Sequence, residues 1–153
     1  QGLAHSLGGT CTQTIEAERW LTLDLSLADS GRRSLLVIDD NAGLIELFER
    51  YLADQPYRLM GASEGKQGLE IAERERPAVI FLDVMMPQQD GWEVLQRLQN
   101  QAATRDIPVV VCSVLDDPEL AYSLGATGFL AKPVSRLQLL EALSRCVAEN
   151  SAR

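Results

Sequence analysis

Lysine is nearly missing from this 153-residue chain: Lys66 and Lys132 are the only two, and 14 basic residues in all stand against 22 acidic ones. The resulting formal charge of −8 and a pI near 4.6 argue against nucleic acid or an anionic membrane as a general partner, because both are held by clustered Lys and Arg. Arg32-Arg33 is too short a basic run to make such a patch. Cysteine is scarce as well. Cys11, Cys112 and Cys146 are odd in number and widely spaced, which suits neither a disulfide framework nor a zinc site, so they read as reduced thiols. No apolar run reaches the length of a membrane span, and no basic-then-apolar leader opens the chain, so the expected location is cytoplasmic. Histidine occurs once, and His5 reads as a solvated helix residue. No repeat or low-complexity segment is present.

What the chain has in quantity is apolar sequence: 46% of it is hydrophobic, enough for one ordinary domain with an appendage. The organising stretch is Val79-Ile80-Phe81-Leu82-Asp83, followed by Val84-Met85-Met86-Pro87-Gln88-Gln89-Asp90-Gly91. Its apolar run lacks polar/apolar alternation, so it reads as a strand buried on both faces inside a parallel sheet. Asp83, the first polar residue, then emerges at the sheet's carboxyl edge, where ligands bind in open α/β sheets.

Strand and helix patterns alternate around this run. Leu35–Ile38 ends in Asp39-Asp40 and precedes a helical pattern over residues 41–53; a strand over Tyr57–Ala62 precedes a helix over 64–75, stopped by Pro77. A helix is expected from Gly91 to Asn100, strands at Ile107–Ser113 and Thr127–Ala131, and a short helix at 117–124. Ser135 with Gln138 marks a capping-box start for a last helix that carries Leu140, Leu143 and Val147 on one stripe. Five strand–helix units require right-handed crossovers and a doubly wound parallel sheet of order 2-1-3-4-5.

The polar residues at the strand ends form the candidate site: Asp39 and Asp40 after the first run, Asp83 after the third, Ser113 ending the fourth, Lys132 after the fifth. A parallel sheet brings these ends to one edge. Three converging carboxylates repel, which raises their pKa values or recruits a cation, and an oxygen-only cluster suits Mg²⁺. A carboxylate beside Mg²⁺ can attack phosphorus in line, with Lys132 and the Ser113 hydroxyl contacting phosphoryl oxygens. If Ser113 moves toward the phosphoryl group, Phe129 on the neighbouring strand is placed to turn inward and fill the space. Asp or Asn after a strand is also an ordinary helix cap, so the weight rests on the convergence and not on any single acid. Asp90-Gly91 and Asp116-Asp117-Pro118 read as helix starts, Met85-Met86 as loop packing and Trp92 as helix packing.

Over residues 34–149 these motifs resemble the receiver domain of two-component response regulators, which has the flavodoxin-like form of the doubly wound fold. The acidic pair matches Asp39 and Asp40; the acceptor aspartate matches Asp83 within Asp-Val-Met-Met-Pro-x-x-Asp-Gly; the switch hydroxyl matches Ser113; the switch aromatic matches Phe129; Lys-Pro matches Lys132-Pro133. The resemblance implies Mg²⁺ held by Asp39, Asp40, Asp83 and the Met85 backbone carbonyl, a cis Lys132–Pro133 peptide, and a phosphoryl group received from a sensor histidine kinase. It implies a phospho-acceptor and not an enzyme, with a histidine phosphotransfer protein as a further partner and room for a homodimer through the later helices. Three departures stand out: Val114 replaces a small residue, Phe129 lacks a hydroxyl, and Met85 and Leu115 occupy positions that tune phosphoryl lifetime. Neither Met85 nor Leu115 can position a hydrolytic water, so slow self-dephosphorylation is expected.

Residues 1–28 follow another pattern. A glycine-closed helix end is followed by Thr10–Ala17 and by Trp20–Leu27, whose leucines fall at every second position, as in a half-buried antiparallel hairpin. This stretch resembles the end of the ATP-binding domain of sensor histidine kinases, without that family's nucleotide-contacting boxes. The expected organisation is a kinase remnant over 1–28, a linker over 29–34 and a receiver domain over 35–150, cut from a hybrid histidine kinase. Two rival readings are a phosphorylation-independent interaction module and a Mg²⁺-dependent phosphatase with an aspartate nucleophile. The phosphatase needs a second acid where Met85 stands.

Overall fold

The computed structural model describes residues 10–15, 21–26, 32–87 and 89–151. The chain divides into two compact units, Gln1–Arg32 and Arg33–Arg153. In the first, β1 (Thr10–Ile15) pairs antiparallel with β2 (Leu21–Ser26), Cys11 opposite Leu25 and Ile15 opposite Leu21. The hairpin expected there is present; the helix end and His5 lie outside the described residues.

The second unit runs β3 (Arg33–Ile38), α1 (Ala42–Tyr51), β4 (Tyr57–Ala62), α2 (Gly65–Glu75) and β5 (Val79–Leu82). A two-residue ladder of β6 (Met85–Met86) and β7 (Gln89–Asp90) follows, then α3 (Gly91–Asn100), β8 (Val109–Ser113), α4 (Pro118–Ser123), β9 (Gly128–Ala131) and α5 (Arg136–Ser151). The five-stranded sheet is ordered β4-β3-β5-β8-β9 and is parallel throughout, which is the 2-1-3-4-5 order of a doubly wound fold.

The unbroken apolar runs follow from burial on both faces. Leu36, Ile38, Ile80, Leu82, Val109 and Val111 face one core with α2 and α3; Leu35, Val37, Val79, Phe81, Val110 and Cys112 face the other with α1 and α5. Alternation within each strand therefore assigns successive residues to different cores, and the middle of these strands is apolar throughout. Phe81 meets Phe48 of α1 edge-on at 5.6 Å between ring centroids. Truncating Phe81 to alanine removes that contact and leaves a cavity, a loss of roughly 3–5 kcal/mol.

Helix starts follow local chemistry. Asn41 caps α1, Asp90 caps α3 and Asp117 caps α4, each accepting a backbone N–H from the first turn. Gln138 Oε1 accepts from both the backbone N–H and the hydroxyl of Ser135, which closes the box expected at α5. The expected stripe of α5, Leu140, Leu143 and Val147, meets a single core but is not its most deeply buried line. Leu139, Ala142, Leu143 and Cys146 are buried while Leu140 and Val147 are half-buried, because the helix packs one position round from the leucine pattern. The reading of Met85-Met86 as loop packing holds for Met86 alone; Met85 is 48% exposed.

Candidate functional site

The strand ladder continues one residue beyond the strand ends and fixes the site's backbone. Asp39 N donates to Ala62 O at 2.9 Å, Asp83 N to Ile38 O at 2.8 Å and Lys132 N to Ser113 O at 2.9 Å. Each of these three site residues is thus tied to the strand beside its own by the same kind of hydrogen bond that holds the sheet.

Side chains then fold back on their own turns. Asp39 Oδ1 accepts from Asn41 N at 2.8 Å, Asp83 Oδ1 from Met85 N at 2.8 Å, and Ser113 Oγ from Leu115 N at 3.0 Å. Each is a turn closed by a side-chain oxygen two residues back, the reason Asp and Ser suit such positions. The second carboxylate oxygens are left to face the centre. Lys132 Nζ donates to Asp39 Oδ2 at 2.7 Å and to Asp83 Oδ2 at 2.8 Å. Because Ser113 Oγ accepts within its turn, the hydroxyl proton stays available for donation. The Lys132–Pro133 peptide is cis.

Burial sharpens the electrostatics. Asp39 is 1% exposed, Asp83 5% and Ser113 0%. Burial pushes the Asp39 carboxyl above its ordinary value, and the Asp83 charge adds to this against the opposing pull of Lys132 and the Asn41 N–H. Burial by itself lowers the Lys132 pKa, but its hydrogen bonds to Asp39 and Asp83, with their charges, raise it overall. Burial raises the Cys112 thiol far above its usual range, so it is protonated and inert.

Asp39, Asp40 and Asp83 offer carboxylate oxygens that all lie within 4.8 Å of one another. With all three ionised against one ammonium, the cluster carries two net negative charges, and its donors are hard oxygens. This donor set fits a small divalent cation and not a soft metal. Asp40 is exposed at the rim, as a ligand open to water would be.

Phe129 and Ser113 share a face of the sheet. Phe129 pairs with Val111 and Ala131 with Ser113 in the β8–β9 register, and Phe129 packs on the core to which Val111 belongs. Phe129 is half-buried, and in the register it is diagonal to Ser113, which faces the small Ala131. All the residues expected at the carboxyl edge therefore come to it. Sequence reasoning gave Gly91 only a helix-start role. A Cβ there would overlap Val84 Cα and the Asp83 carbonyl oxygen, so the bare backbone of α3 lets the acceptor turn lie where it does. The available signal was a glycine directly after a capping Asp90 on the acceptor loop.

A doubly wound α/β domain with an acid cluster and a half-buried lysine at its carboxyl edge defines a class, and comparison narrows it. The response regulator receiver domain pattern matches residues 35–144, and the chain belongs to that family, whose members are phosphorelay receivers. It is 38% identical over 108 residues to the response regulator PleD of Caulobacter vibrioides, covering 69% of this chain but 24% of PleD, so it spans about a quarter of that protein. Chemotaxis protein CheY4 of Vibrio cholerae has a similar structure, with TM-score 0.70, 29% identity, and coverage of 75% of this chain and 98% of that one. The receiver domain of sensor histidine kinase PA1611 from Pseudomonas aeruginosa, solved with magnesium in its active site cleft, gives TM-score 0.69 and 28% identity over 76% of this chain and 98% of that one. Among the described residues no helix is long and apolar enough to cross a membrane.

Proposed function

We propose that this chain takes a phosphoryl group from a phosphohistidine onto Asp83, with Mg²⁺ held by Asp39, Asp40, Asp83 and the Met85 carbonyl. The observation that carries the reading is Lys132 Nζ spanning Asp39 and Asp83 beside the third acid, Asp40. A bond forms between an Asp83 carboxylate oxygen and phosphorus as the P–N bond breaks. The electron pair stays on the imidazole, which leaves neutral because its other nitrogen carries a proton. Bound Mg²⁺ would neutralise charge on the transferring group. Lys132 then follows the new charge as a point cation, and the Ser113 hydroxyl donates to a phosphoryl oxygen. Turning Ser113 toward the phosphoryl group frees Leu115 N from its acceptor and opens space that Phe129 can enter, so that the later helices carry the signal.

The N-terminal hairpin supports a parent that is a cytoplasmic hybrid histidine kinase, with residues 1–28 closing its ATP-binding domain and 29–34 linking it to the receiver. A histidine phosphotransfer protein would then take the phosphoryl group onward. The test is intact mass after incubation with acetyl phosphate and Mg²⁺, repeated with Asp83→Asn and with chelator. One phosphoryl increment that needs both Asp83 and metal is expected. If the wild type gains none and also fails to bind beryllofluoride, the acceptor reading is wrong.

A further inference from the structure

Met60, Met85 and Met86 are the only methionines in the chain, and the fold treats them differently. Met86 is 9% exposed and belongs to the core that holds Leu82 and Val84, and Met60 is half-buried against the same core. Met85 is 48% exposed. The cause is the short β6–β7 ladder: successive side chains of a strand point to opposite sides, so once Met86 turns inward Met85 has to turn outward. Its backbone is fixed in that position twice, by pairing with Asp90, the cap of α3, and by the hydrogen bond from its own N–H to Asp83 Oδ1.

Among the described residues Met85 is therefore the most exposed sulfur-bearing side chain, and it stands two residues from Asp83. The described thiols do not compete with it for an oxidant. Cys112 and Cys146 are buried, and a thiol reacts as its thiolate, which burial disfavours at Cys112. A thioether needs no deprotonation to react, and its susceptibility follows exposure.

We propose that Met85 is a redox modification site: hydrogen peroxide converts its thioether to the sulfoxide, and the new S=O group shortens the life of a phosphoryl group on Asp83. The inference rests on the reading of Asp83 as phosphoryl acceptor and adds a regulator to that site. A sulfur lone pair attacks one peroxide oxygen as the O–O bond breaks; the sulfide is oxidised by two electrons, and the other oxygen leaves as water. An apolar side chain with a weak acceptor becomes a polar one with a strong acceptor. A water hydrogen-bonded to that oxygen is held at the mouth of the site. In the hydrolysis, the water oxygen bonds to phosphorus as the P–O bond to Asp83 breaks, the electron pair returns to the carboxylate, and inorganic phosphate leaves. One hydrogen bond that orients the attacking water corresponds to an acceleration of about threefold to tenfold.

The test uses the purified chain, treated with graded hydrogen peroxide, labelled with acetyl phosphate and Mg²⁺, and then freed of donor. Peptide mapping by mass should show Met85 gaining oxygen about tenfold or more faster than Met86. The phosphoryl half-life, followed by intact mass, should fall about threefold to tenfold in the oxidised chain and recover after treatment with methionine sulfoxide reductases. Met85→Leu, whatever its own half-life, should show no response to peroxide; it keeps every cysteine, so a response that persists there would come from another residue. Oxidation of Met86 as fast as Met85, an unchanged half-life in the oxidised chain, or a peroxide effect that survives Met85→Leu or resists the reductases overturns this inference and leaves the acceptor intact. No labelling of the untreated chain by acetyl phosphate overturns the acceptor reading, and this inference with it.

Discussion

Lys132 Nζ lies 2.8 Å from Asp83 Oδ2 although 49 residues separate the two, and the same nitrogen reaches Asp39 at 2.7 Å. One ammonium thereby occupies the position between two carboxylates where added positive charge is most favourable. Lys132→Ala should consequently tighten divalent-cation binding, since a competitor for two ligand oxygens is gone. It should slow phosphoryl uptake by roughly a hundredfold, because a preorganised charge on the transferring group is lost. Calorimetric titration with Mg²⁺ and the mass assay read the two effects separately. Weaker cation binding in the variant would mean that the lysine orders the acids instead of competing for them.

Gly91 offers a test of placement. Alanine at an ordinary helix position is favoured over glycine by about 1 kcal/mol, but here a Cβ would strike the Asp83–Val84 backbone. Gly91→Ala should destabilise by about 1–3 kcal/mol and depress phosphoryl uptake together. Gly128→Ala is the control, since its Cβ would meet Val110 Cγ2 at an ordinary 3.4 Å. Urea unfolding of both variants decides the matter, and a neutral Gly91→Ala would contradict the role assigned to that contact.

The Asp54–Arg136 pair gives a pH signature away from the site. Arg136 Nη2 donates to both Asp54 oxygens at 2.7 and 2.8 Å, and its Nε donates to Tyr51 O at 3.0 Å, joining the end of α1 to the start of α5. The Arg136 hydrogen bond holds the Asp54 carboxyl below its ordinary 3.8. A carboxyl lowered on folding stabilises the native state above its unfolded value, and that contribution is lost as pH falls through the folded value. Asp54 is exposed, so the effect on stability is small. Arg136→Gln should return its titration to the ordinary position by NMR; an unmoved midpoint would show that the guanidinium does not set it.

Phosphoryl lifetime follows from the apolar side chains at the mouth. Met85 and Leu115 are both partly exposed there, and neither can hydrogen-bond an attacking water through its side chain. Slow self-dephosphorylation is expected, and Leu115→Asn should quicken it severalfold by supplying a polar group. Loss of label from purified phosphoprotein within seconds would refute this.

Much of the receiver was legible because its signals are redundant. Runs buried on both faces leave no alternation, as Val79 to Leu82 show, and each ends at a polar residue that has to emerge at the edge. The stripe of α5 was legible only in part: Leu140, Leu143 and Val147 do meet one core, but leucine spacing alone leaves a helix free to turn, and Leu139, Ala142 and Cys146 lie deeper in it. Met85 was misread because its exposure depends on the short ladder it forms with Asp90, which no local pattern reveals.

By itself the sequence determined the order of elements, the parallel sheet and the polar residues that end its strands, since these depend on local periodicity and on caps only a few residues long. Tertiary structure alone decided that Lys132 lies between Asp39 and Asp83, and that Phe129 and Ser113 share a face. It also decided that Gly91 has no room for a side chain. Each of these depends on strand order and register, which bring together residues far apart in the chain at distances of a few ångströms.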